Sequence, residues 1–174
     1  MGMAARLTPR TGLALGATAC ALLLGYGFYL QYFDGQEPCP LCLVQRGFYF
    51  ALLFVFAAAA LHGPGRTGMR IYGGLGLLFA AGGTGTAGRQ VWLQHLPPEL
   101  VPQCGPDLYF MLDNFPLAKV LTNLLRGSGQ CAEVKWTFLG FSIAEWSLAW
   151  FIAFAALALW AAFSRAPSPR PAGR

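Results

Sequence analysis

Charge is scarce in this sequence. Aspartate and glutamate total seven in 174 residues, and charged residues of both signs reach only 11% against 56% apolar. An ordinary soluble domain carries about a quarter charged residues, so this composition argues for a membrane protein. The net charge of +5 does not imply a nucleic-acid partner, because the arginines sit in short pieces between apolar runs and not among aromatics on one face. Histidine is nearly absent, with two copies, and no second close cysteine pair accompanies Cys39 and Cys42, which leaves a four-ligand zinc site short of donors. The glycine-rich stretch from Gly73 to Gly88 has no strand before it and no Lys-Ser after it, which excludes a phosphate-cradling loop. A small-residue cleavage site is missing too. The first apolar run ends on Tyr29, Gln31, Tyr32 and Phe33, so it is read as a retained span and not a signal peptide.

Long apolar runs are what the chain does have. A bilayer core needs about 20 apolar residues as helix, and four stretches qualify: 12–32, 42–61, 71–93 and 141–163. The expected fold is therefore an all-α integral membrane protein, one domain over 1–174, built as a four-transmembrane-helix bundle. Arg6, Arg10, Arg66, Arg70, Arg165, Arg170 and Arg174 fall in segments that the positive-inside rule places in the cytoplasm. All seven acidic residues fall elsewhere. Both termini and the tail 164–174 are thus expected inside, with a short loop 33–41 and a long loop 94–140 outside. Glycines 73, 74, 76, 82, 83, 85 and 88 in the third run suit close helix approach. Trp146 and Trp160 read as interfacial anchors of the fourth. In the long loop, Leu117, Val120, Leu121, Leu124 and Leu125 repeat at helical spacing behind Pro116, which predicts a short helix lying in the membrane surface.

Four of the five cysteines carry the chemistry. Cys39 and Cys42 form a Cys-x-x-Cys pair at the head of the second run, on the disulfide-permissive side. Redox exchange and an inert disulfide are both open, and such short loops more often exchange than staple. Pro40 suits the first turn of a helix, which puts Cys42 near orphan N–H groups and the positive dipole end that favour thiolate. Arg46, four residues on, shares the face of Cys42; it either supports that thiolate and an electron-rich ligand or reaches up to lipid headgroups. Cys104 and Cys131 share the long outer loop, either as a structural disulfide or as a second pair exchanging with the first. Cys20, in mid-span, reads as packing.

The stretch "PCPLCLVQR" and the later "GQCAEVKWTFLGFSIAEWSL" resemble the bacterial disulfide bond formation protein B family, DsbB, across the whole chain. A vitamin K epoxide reductase-like enzyme also combines a span-edge Cys-x-x-Cys with quinone, but the sequence around Cys131 fits it less well. A transporter or scaffold with structural disulfides is the non-enzymatic alternative. The resemblance implies an inner-membrane, quinone-dependent thiol oxidase, with its loops periplasmic. It implies that Cys104 and Cys131 oxidise a DsbA-like thioredoxin-fold partner. Electrons then pass to Cys39 and Cys42, with Cys42 facing ubiquinone or menaquinone from the membrane pool. Arg46 corresponds to an arginine implicated in quinone interaction, and His95, in "GRQVWLQH", to a histidine on the quinone side. An interfacial hydrogen-bonding role for His95 is equally compatible with its position.

Overall fold

The computed structural model describes residues 8–36, 38–101, 114–116, 119, 122, 129–134 and 136–164. Cys104, the five apolar positions behind the surface-helix expectation, and the tail 165–174 lie outside them. Four long helices dominate: α1 (Pro9–Tyr32), α2 (Pro40–His62), α3 (Arg66–Gln94) and, after the one-turn helix α4 (Gly129–Ala132), α5 (Ile143–Phe163). A 3-10 turn follows α3 at Pro98–Leu100. By length and composition α1, α2 and α5 are apolar enough to cross a membrane. The longest, α3, contains the expected run 71–93 but is diluted by glycines, threonines, Arg89 and Gln90.

Local chemistry sets each helix end. Thr8 accepts the Thr11 N–H at 3.3 Å and Pro9 occupies the first turn of α1, where a missing N–H costs nothing. At the far end of α2, Gly63 adopts the left-handed conformation, φ 54°, that terminates helices at little cost for glycine. Arg10 reaches across from α1 and donates to the Ala60 carbonyl at 2.6 Å and the Leu61 carbonyl at 3.4 Å. A cation there satisfies orphan acceptors and complements the helix dipole.

The fourth run does not start as a helix. Thr137–Phe138 (β1) and Phe141–Ser142 (β2) pair antiparallel around Leu139 and Gly140, so residues 141 and 142 of the expected span belong to a hairpin. Both turn residues have positive φ, 54° and 83°, the backbone a two-residue hairpin loop demands. Helix α5 begins only where Ser142 caps it. Its hydroxyl accepts the Glu145 N–H at 3.3 Å while the Glu145 carboxylate accepts the Ser142 N–H at 2.7 Å, a reciprocal capping box. Trp146, expected as an anchor, donates its indole N–H to the Phe138 carbonyl at 3.1 Å and so holds the hairpin on α5.

Close approach of α3 and α5 is made by absent side chains. A Cβ at Gly73 would lie 2.9 Å from the Ala158 carbonyl, and one at Gly83 2.3 Å from the Phe151 ring. Gly74, Gly85 and Gly88 have nothing within 4 Å, so only part of the glycine stretch serves packing. The core beside them contains Leu13, Cys20, Leu52, Phe56, Phe151 and Phe154. Tyr49 stacks on Phe151 at 4.3 Å and hydrogen-bonds the Ser147 hydroxyl at 3.0 Å. That partner satisfies the one polar atom the ring carries into the core.

Candidate active site

The head of α2 is organised by sulfur. Pro40 opens the helix, and Cys39, with extended backbone, serves as its N-cap. The Cys42 N–H is donated to the Cys39 sulfur at 3.3 Å. The amide of Cys42 itself thus serves the Cys39 sulfur. The two sulfurs lie 2.7 Å apart.

A third cysteine joins them. Cys131, on α4, is fully buried in a small apolar cluster with Cys39, Leu41 and Leu93, against which Cys42 and Ala132 pack. Its thiol is near enough to act on Cys39, and together with the Cys42 thiol and burial it pushes the Cys39 thiol up from its ordinary range. Burial disfavours the charged form, and a proton shared with neighbouring sulfurs disfavours it further. Cysteines 92 positions apart in sequence, by subtraction of 39 from 131, thus meet at one point, held between α2, the end of α3 and α4.

The family can now be assigned. The model of the family described as disulfide bond formation protein DsbB matches residues 9–161. The chain belongs to the DsbB family. Disulfide bond formation protein B of Azoarcus sp. is 53% identical over 147 residues, covering 84% of this chain and 87% of the relative. The protein of the same name from Hahella chejuensis is 52% identical over 155 residues, 89% of this chain and 94% of its own. That of Methylococcus capsulatus is 49% identical over 150 residues, 86% and 92% respectively. DsbB proteins are inner-membrane thiol oxidases that make disulfides and pass the electrons to quinone, so this chain is a membrane disulfide-forming enzyme.

Arg46 makes its hydrogen bonds with α1. Its guanidinium bridges to α1, donating to the Gln31 side-chain oxygen and, at 2.9 Å, to the Gly27 carbonyl. It lies 4.9 Å from the centre of the Phe28 ring, a cation–π distance, and within electrostatic reach of Cys42. The arginine ties α1 to α2 beside an aromatic surface. His95 caps the end of α3, exposed, with its Nδ1 2.9 Å from the Val91 carbonyl. Its described contacts do not join it to Arg46 or to the cysteines.

Two buried glutamines stand beside the sulfurs, and sequence reasoning passed over one of them, Gln90. Gln90, on α3, is buried and donates from Nε2 to Cys39 at 3.4 Å and Cys42 at 3.3 Å. Gln45, also buried, donates to the Gln90 Oε1 at 2.7 Å. The only signal for them in the sequence is polarity inside an apolar run, which becomes informative once a partner helix is known.

Proposed function

We propose that the chain reoxidises a periplasmic, thioredoxin-fold dithiol oxidase of the DsbA kind through Cys104 and Cys131. Cys39 and Cys42 then carry the electrons to ubiquinone or menaquinone. The observation that supports this relay is the burial of Cys131 in one small cluster with Cys39, against which Cys42 packs. A purely structural loop disulfide gains nothing from placing one member against a second dithiol.

The exchange balances as follows. A partner thiolate attacks Cys104, the Cys104–Cys131 bond breaks, and Cys131 leaves as thiolate. That thiolate attacks the Cys39 sulfur, and Cys42 leaves as thiolate from the broken Cys39–Cys42 bond. The partner's second thiolate displaces Cys104, which attacks Cys131 and releases Cys39. The loop pair is then oxidised again, and the partner has gained one disulfide. The inner pair now holds two electrons. Bound quinone supplies a two-electron, two-proton acceptor. A partner as oxidising as DsbA, about −120 mV, requires an acceptor with stronger pull than glutathione.

The surface beside Arg46 suits a quinone headgroup. Phe28 and Phe50 lie 6.3 Å apart and offer apolar rings, and the guanidinium has more N–H donors than Gln31 and Gly27 occupy. The reading also includes four spans with α3 as the third and both termini cytoplasmic. Loops 33–41 and 94–140 are then periplasmic, the long one carrying the surface helix. His95 is assigned the quinone side as a lesser contact.

Purified protein is expected to reduce ubiquinone or menaquinone with one partner disulfide formed per quinone consumed, read from quinone absorbance and thiol titration. No quinone reduction with either acceptor would overturn the reading. Arg46→Ala is expected to raise the apparent KM for quinone about tenfold, the loss of one charge-assisted hydrogen bond. Arg46→Lys should recover part of it, since the charge survives and the fork does not. An unchanged KM for Arg46→Ala would confine the residue to helix packing.

A further inference from the structure

A neutral carboxamide is in direct contact with both sulfurs of the inner dithiol. We propose that Gln90 is a catalytic residue of this chain, donating its two amide N–H bonds to the Cys39 and Cys42 sulfurs as their bond opens, and that Gln45 is a positioning residue that orients that amide. The proposal rests on the thiol-exchange reading above and deepens it.

Geometry carries the argument. Gln90 and Gln45 are only 5% and 4% exposed, in a setting where a polar side chain without partners is expensive. One amide nitrogen has two hydrogens, and two sulfurs lie within reach of it, at 3.4 and 3.3 Å. Gln45 donates to the oxygen end at 2.7 Å, and this selects the amide orientation that turns Nε2 toward sulfur. An interhelical amide pair can be simple packing glue in a membrane. Glue needs only the bond between the two glutamines, and the second engagement, with both sulfurs, is left without a purpose by that view.

Residue type matters as much as position. When the Cys131 thiolate attacks Cys39, negative charge develops on Cys42, and a leaving thiolate departs faster as its anion is better stabilised. Donor N–H groups aimed at developing charge in a site screened from water supply that stabilisation without reorganising. A carboxylate at position 90 would repel the same charge. An ammonium would bind the thiolate strongly enough to oppose its reoxidation. A carboxamide donates without titrating. Its Oε1 also lies 3.7 Å from the Cys42 sulfur, within S–H reach, so one side chain serves the thiol and the thiolate forms.

The test uses full-length protein with Cys104 and Cys131 replaced by serine, which isolates the inner pair, equilibrated against a dithiol redox buffer. Gln90→Leu is expected to move the dithiol–disulfide equilibrium about tenfold toward disulfide, which is about 30 mV. Gln45→Leu should move it severalfold in the same direction, because the amide is then free to turn. In the unmodified cysteine background, Gln90→Leu should lower kcat about tenfold and leave the quinone KM unchanged. An unshifted equilibrium in Gln90→Leu with a lowered Tm would make the pair glue and overturn the proposal. Where Gln90→Leu fails to fold, Gln90→Met and Gln45→Leu answer the same question. The equilibrium is read without partner or quinone, so failure of the relay and failure of the glutamine pair give different results.

Discussion

Serine in place of Cys131 is expected to lower partner-driven quinone reduction at least about a hundredfold, as loss of a nucleophile in a coupled unit does. The hydroxyl has the size of the thiol but forms no disulfide, and at neutral pH it supplies almost no anion. Cys131 is buried against Cys39, so no other described cysteine can take its place: Cys20 sits in the core between the helices, outside that cluster. A small dithiol such as dithiothreitol should still drive quinone reduction in Cys131→Ser, since it can reduce Cys39–Cys42 directly. Cys42→Ser should abolish both activities. Cys20→Ser is expected to keep turnover within about twofold, because a serine in a helix can hydrogen-bond its own backbone. Equal loss with both electron donors in Cys131→Ser would mean that the residue holds α4 in place and does not carry electrons.

Gly83→Val is expected to be the most damaging substitution away from the cysteines. A Cβ at this position would sit 2.3 Å from a ring carbon of Phe151, and that ring is fully buried and stacked on Tyr49. With no room to rotate, the conflict separates α3 from α5. Overpacking of this kind costs about 3 kcal/mol, enough to lower Tm by several degrees and to reduce the folded fraction in detergent. Function should fall with it, because Gln90 lies two turns further along the same helix. Gly85→Ala, with nothing within 4 Å of its added carbon, should leave Tm unchanged or slightly higher, since alanine is the better helix former. Matching losses for the two variants in a thermal-unfolding series would show that helix flexibility, and not the Phe151 contact, is what the glycines provide.

The local signals in the sequence were reliable where a single residue decides the backbone. Pro40 marks the start of α2, and the apolar runs locate α1, α2 and α5. The hairpin at 137–142 was overlooked because Phe141 continues an apolar run, and apolar continuity does not distinguish the end of a strand from the first turn of a helix. The x-Gly pair Leu139–Gly140 between aromatic neighbours was the available cue. The partners of Arg46, Gln31 and Gly27, lie on α1, and i, i+4 spacing cannot see across helices. Gln90 was missed for the same reason. Gln90 and Gln45 are single polar residues in apolar segments, and only the packing of α2 on α3 makes them a pair around sulfur. The meeting of Cys131 with Cys39 is likewise a property of the tertiary fold.

That meeting is the central claim, and peptide mapping of a Cys42→Ser, Cys104→Ser double variant tests it most directly. Mild oxidation of the purified protein, digestion and mass spectrometry without reduction should recover the Cys39 peptide joined to the Cys131 peptide as the main product. Recovery of both peptides as unlinked thiols, or of Cys131 joined only to a second molecule, would contradict the three-cysteine site.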